Sequence, residues 1–202
     1  MRDLPVGDDS RSGTSRRVRA LEVMIGLAEN NLWANDRLHA ACAALAHDDY
    51  RKDGRTSFFP SIHKTLTHIL VVDWFYIDAL ERGGRGRSVF DDEDPFPRLA
   101  ELTLAQRAVD GRCVAHLKSL TGDGALDDTI DLAFRSGVVQ ERAGDVLLHL
   151  FQHQIHHRGQ AHAMLAGTGV LPPQLDEFFL AADERFRTDE LRGLGLKERI
   201  RG

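Results

Sequence analysis

Five of the ten histidines in this 202-residue chain crowd into one stretch, at His149, His153, His156, His157 and His162. If that stretch is helical, each residue turns by about 100°, and His149, His153 and His157 fall on one stripe about 80° wide with Val146, Gln160 and Met164. Val146 and Met164 mark the stripe as inward-facing, so its imidazoles need partners to offset their desolvation. A divalent cation would supply them, because two histidines four apart on a helix can each place a nitrogen about 2.0–2.1 Å from a shared ion. A pair is only half a site. The third ligand must come from another buried helix face, and His68, flanked by Leu66, Ile69 and Leu70, is the best-placed donor. Spacing leaves open whether His149 or His157 joins His153, since both intervals are four residues. Each histidine taken alone has an ordinary alternative as a hydrogen-bonded core residue; their combination on two buried faces is what points to a metal.

Other chemistries fit less well. The run His153-Gln154-Ile155-His156-His157 has the spacing of the H-E-x-x-H peptidase motif, but Gln154 stands where that motif needs a carboxylate base, which disfavours a zincin-type peptidase. The sequence has no GxSxG, no P-loop, no GxGxxG after a strand and no plausible Cys/His nucleophile pair. Asp73, five residues beyond His68, serves either as an outer-sphere acceptor or as a structural hydrogen-bonding group. Arg158 reads as one half of a surface or interhelical ion pair, and Gly159 as a point of close helix approach.

Four long helices must hold these residues. Val18–Ala46 carries Leu21, Ile25, Ala28, Leu32, Leu38, Ala41 and Leu45 at helical spacing. A polar stretch, 47–56, leads to Pro60-Ser61, where proline discourages helix at Phe59 and serine caps a second helix from Ile62 to about Glu81. That helix is apolar around most of its circumference and belongs in the middle of a bundle. Gly83-Gly84-Arg85-Gly86 ends it, and the acidic run Asp91–Asp94 with Pro95 and Pro97 reads as a long surface loop. A third helix is expected over Arg98–Leu120. Between Thr121 and Gly144 the period breaks, and Thr129–Phe134 with Val138–Gln140 around Arg135-Ser136-Gly137 suits a short hairpin inserted before the last long helix. The histidine-rich helix runs Asp145–Ala166 and stops at Gly167 ahead of Pro172-Pro173. A short fifth helix is expected within Leu175–Phe186. The pattern predicts an all-α four-helix bundle over 19–182, with a flexible arm at 1–18 and a charged tail at 183–202.

Composition sets outer limits on function. Apolar residues make up 42% and charged residues 28%, enough to bury a core and too apolar for disorder throughout. The net charge of −5, with no basic stripe interleaved with aromatics, argues against a nucleic-acid partner. No run reaches the roughly 18 apolar residues of a membrane span, and Met1–Arg19 lacks the apolar core of a secretory signal. Cys42 and Cys113 sit in apolar stretches without ligand spacing and read as buried reduced thiols, which suits a cytoplasmic location.

Ser57-Phe58-Phe59-Pro60-Ser61-Ile62-His63 and on to Trp74, together with Leu147 to Gln160 and its His153, His157-Arg158-Gly159-Gln160, resembles the DinB/YfiT-like family of metalloenzymes. The likeness extends from Trp33-Ala34-Asn35 to Leu175-Asp176. The resemblance implies an up-down-down-up bundle, commonly a homodimer, with one divalent ion on His68, His153 and His157, and it places His149 near the site but outside the ligand set. It also implies a range of activities that includes thiol S-transfer. Three neutral imidazoles leave a cation its full charge and an open position, the arrangement of catalytic sites, which acidifies a water or a thiol. The expectation is therefore a metal-dependent enzyme, with zinc or nickel as the leading ions, a small-molecule substrate such as a low-molecular-weight thiol, and His149, Asp73 and Gln160 as orienting groups around the ligands. A metal-dependent hydrolase and a non-catalytic, stress-related metal-binding module are the alternatives, separable by turnover. If the protein is a dimer, the first and third helices are the surfaces to examine.

Overall fold

The structure is a computed structural model and describes residues 19–198. It contains helices α1 (Ala20–Cys42), α2 (His47–Arg51), α3 (Ile62–Leu80) and α4 (Leu99–Ser119), strands β1 (Thr129–Phe134) and β2 (Gly137–Arg142), and helices α5 (Ala143–Ala166) and α6 (Glu184–Gly193). The flexible arm expected at 1–18 lies outside the described residues, as do 199–202.

The start of α3 follows its sequence closely. Ser61 is extended, its Oγ accepts the Lys64 backbone N–H at 3.2 Å, and the hydroxyl of Thr65 bonds back to the Ser61 carbonyl at 3.0 Å. Ile62, Leu66, Ile69, Leu70 and Ile77 are then fully enclosed, so α3 meets neighbours on more than one side. Those neighbours are α4 and α5, while α1 also packs on α4 and α5. The long helices thus close a four-membered ring in which α1 stands diagonally across from α3. Leu38, Leu102, Leu117, Leu147 and Leu150 fill its interior.

The hairpin forms as expected, with Phe134 paired to Gly137 across Arg135-Ser136, although β2 runs on to Arg142 and leads straight into α5. Ile130 and Leu132 of β1 are buried and β2 is exposed throughout, so the hairpin covers the bundle without forming a sheet core. No helix among the described residues is long and apolar enough to cross a membrane.

Two segments differ from the sequence expectation. The first helix stops at Cys42, and the stretch expected to be a polar loop carries α2, whose Tyr50 is buried and gives that short turn an anchor. The fifth helix lies not within 175–186 but at Glu184–Gly193, inside the segment expected to be a surface tail. Arg187 and Leu191, four apart, face inward there. Leu191 and Phe178 cover Trp33, whose indole N–H donates to Glu190 at 2.6 Å. Arg37 fastens the same corner through Glu177 at 2.8 Å and Glu190 at 3.0 Å. The high charge of this helix hid a single inward stripe.

Candidate metal centre

The bundle brings together three histidines from two of its helices. One ring nitrogen each from His68 on α3 and from His153 and His157 on α5 lie within 4.8 Å of one another. His68 Nε2 and His153 Nε2 are 3.0 Å apart, close to the separation of about 3.3 Å that two ligands of a tetrahedral zinc adopt. Phe59, held by the turn before α3, stacks at 4.5 Å from His68 and 5.7 Å from His157 and shields one side.

Burial fixes the protonation of the group. Desolvation, followed by the neighbouring His157, pushes His68 down to about 4. Desolvation and then the surrounding rings push His153 down to about 3. His157 is lowered by desolvation, against which the Gln160 hydrogen bond works. All three are therefore neutral at pH 7, the form that ligates a metal. The tautomer of His157 is set as well: its Nδ1–H donates to Gln160 Oε1 at 2.8 Å, which leaves the Nε2 lone pair free. Gln160 is held in turn by donating from Nε2 to His156 Nε2 at 3.0 Å. The buried Nδ1 of His153 has no hydrogen-bond partner among the described residues. Three neutral imidazoles with converging nitrogens fit a divalent cation.

Gln160→Ala should then weaken binding of a divalent metal by about 10- to 100-fold while leaving the three histidines in place. Competition against a chromophoric chelator reads this, and unchanged affinity would show that the hydrogen bond does not orient the ring.

The other expected site residues fall elsewhere. His149 is exposed, with its ring 6.4 Å from that of His153 and 5.4 Å from Tyr76, and stands outside the three-histidine group. Asp73 is buried, and its Oδ2 accepts from Gln106 Nε2 at 2.6 Å. His162 bonds the Pro173 carbonyl.

Asp73 belongs to a buried polar layer to which all four long helices contribute. Asp110 accepts from Asn31 at 3.2 Å, Asn35 at 3.0 Å and Gln106 at 3.1 Å, while Arg158 donates to the side-chain oxygens of Asn31 at 2.6 Å and Asn35 at 2.9 Å. Arg158 is 5% exposed, so it is no surface residue, and its charge serves the interior. Gln154 also faces this layer and accepts from Asn35 at 3.4 Å. The residue at the peptidase-base position therefore points away from the histidines. Sequence reasoning missed Asn31, Asn35, Gln106 and Asp110, although each interrupts an inward apolar stripe: Ala28, Asn31, Asn35, Leu38 in α1, and Leu102, Gln106, Val109, Asp110, Cys113 in α4.

Desolvation raises both Asp73 and Asp110, and the field of Asp110 raises Asp73 further. A carboxyl whose folded pKa exceeds its unfolded one contributes most at low pH, and that contribution is lost as pH climbs through the folded value. Asp73→Asn stays neutral at every pH and should gain stability relative to the parent chain between pH 5 and 8.5. Urea unfolding at three pH values tests this; a difference between the two proteins that does not change with pH would mean that Asp73 ionises in the fold as readily as in the unfolded chain.

Fold and site together define a helical-bundle protein with a candidate three-histidine metal centre. Residues 19–190 match the sequence model of the DinB family, and the chain belongs to that family. It is 24% identical to Protein DinB of Bacillus subtilis (strain 168) over 166 residues, which cover 74% of this chain and 88% of that protein. Its fold resembles a DinB-like protein from Bacillus cereus (TM-score 0.54, 17% identity, 70% of this chain and 90% of that one). It also resembles a DinB-like protein from Bacillus subtilis (TM-score 0.52, 20% identity, 73% and 96%).

Proposed function

We propose that the protein is a divalent-metal-dependent enzyme of small molecules, with His68, His153 and His157 as ligands, zinc or nickel as the ion, and thiol-dependent S-transfer as the reaction. The observation that carries this reading is the convergence of three neutral imidazole nitrogens within 4.8 Å, donated by two separate helices. When bound there, a divalent ion would supply Lewis acidity and lower the pKa of a coordinating thiol.

The chain's own residues do the rest. Gln160 holds His157 in the ligating tautomer through the 2.8 Å bond at Nδ1. Phe59 keeps water from one side of the rings. The His63 ring, whose Nε2 meets Asp94 at 2.8 Å and whose Nδ1 meets the Tyr50 hydroxyl at 3.0 Å, pins the acidic loop beside α3 with the help of Arg51. A thiol entering beside His68 would pass its proton to solvent or to a carboxylate of that loop, and the thiolate would then form a carbon–sulfur bond to an electrophilic carbon whose leaving group departs to solvent with its electron pair.

The test is turnover. Protein purified without a histidine tag and loaded with zinc or nickel should conjugate small thiols to electrophiles such as 1-chloro-2,4-dinitrobenzene, and chelation should abolish it. Ester hydrolysis without thiol transfer would favour a hydrolase, and tight metal uptake without any turnover a binding module.

A further inference from the structure

Beside His68, a cleft of about 310 Å³ opens between α3 and the loop that precedes α4. Phe59, Val71 and Phe90 give it apolar walls. Thr67 lines it too, and its buried hydroxyl has no hydrogen-bond partner among the described residues. Three charged side chains, Lys64, Asp92 and Glu93, complete the rim.

The charges do not cancel. Lys64 is committed to Asp53, with Nζ 2.9 Å and 2.8 Å from its two carboxylate oxygens. Arg51 is committed to Asp94 at 2.8 Å, which His63 shares. Asp92 accepts the Asp94 backbone N–H at 3.0 Å, and among the described residues no cationic side chain lies within 4 Å of Asp92 or Glu93. The cleft therefore presents aromatic and aliphatic walls under two uncompensated negative charges, in a chain of net charge −5. Such a rim attracts a positively charged group and repels an anion of equal size.

We infer that this cleft selects small molecules with an apolar body and a cationic amine, and that Asp92 and Glu93 set the selectivity. The inference builds on the reading of His68 as part of a metal centre, because it names the class of substrate presented there: an amine-bearing molecule in preference to a carboxylate-bearing one. The recognition itself needs no ion.

Phenethylamine and 3-phenylpropionate, nearly equal in size and opposite in charge, test it by ligand-observed NMR on the metal-free protein at low ionic strength. The amine should bind about 5-fold more tightly than the acid, and the difference should shrink in 0.5 M salt. In the double variant Asp92→Asn/Glu93→Gln it should fall below about 2-fold, since the amides keep the shape and remove the charge. Equal binding of the two probes, tighter binding of the acid, a preference that survives the double substitution, or saturable binding of neither would each overturn the inference. Failure of the metal centre is read separately, as absence of bound ion in the parent protein, and leaves these titrations unchanged.

Discussion

Replacing His68 with alanine is expected to cut metal affinity by at least about 100-fold, taking the protein from about one bound zinc or nickel per chain to almost none after dialysis. His68 is the one member of the three-histidine group that α3 contributes, and without it only the pair on α5 would be left to hold an ion. Elemental analysis of untagged protein reads the stoichiometry, and helical circular dichroism checks that the bundle survives, as it should for a half-buried side chain. His149→Ala is the internal control: it removes a neighbouring imidazole from the same stripe and should leave stoichiometry unchanged. Retention of a full equivalent of metal by the His68 variant would refute the site.

The largest effect on stability is expected from Arg158→Met, at about 3–5 kcal/mol, because it leaves the Asp110 carboxylate buried without a counter-charge. Burial pulls Arg158 down to about 10, with Asp110 opposing that shift most strongly, so the guanidinium remains charged at neutral pH. It also satisfies the oxygens of Asn31 and Asn35, which the variant would orphan. If the single variant does not fold, the double variant Arg158→Met/Asp110→Asn still decides the matter. Removing both charges together should restore a good part of the loss seen in urea unfolding. A single-variant cost below 1 kcal/mol, or a double variant no better than the single, would mean the layer is not held by charge.

Much of this was legible in the sequence because it rests on helical period. The four long helices, the Ser61 cap, the hairpin and the convergence of His68 with His153 follow from which residues recur every three or four positions. The choice of His157 over His149 did not: identical spacing gives identical local geometry, and only the end of α5 facing His68 distinguishes them. The polar layer was hidden because Asn31, Asn35, Gln106 and Asp110 look like surface residues unless their stripe is followed through them. Helix α6 was hidden for a related reason, since one face of two residues, Arg187 and Leu191, must be found among ten mostly charged positions.

Helix α5 serves two clients with interleaved residues. Positions 153 and 157 address the imidazole cluster, and positions 154 and 158, one step along, address the ionic interior. Adding or deleting one residue between Asp145 and Gln160 would rotate everything on one side of the change by about 100° and misalign both sets together. Side chains along this rod can be exchanged singly, but its length cannot drift.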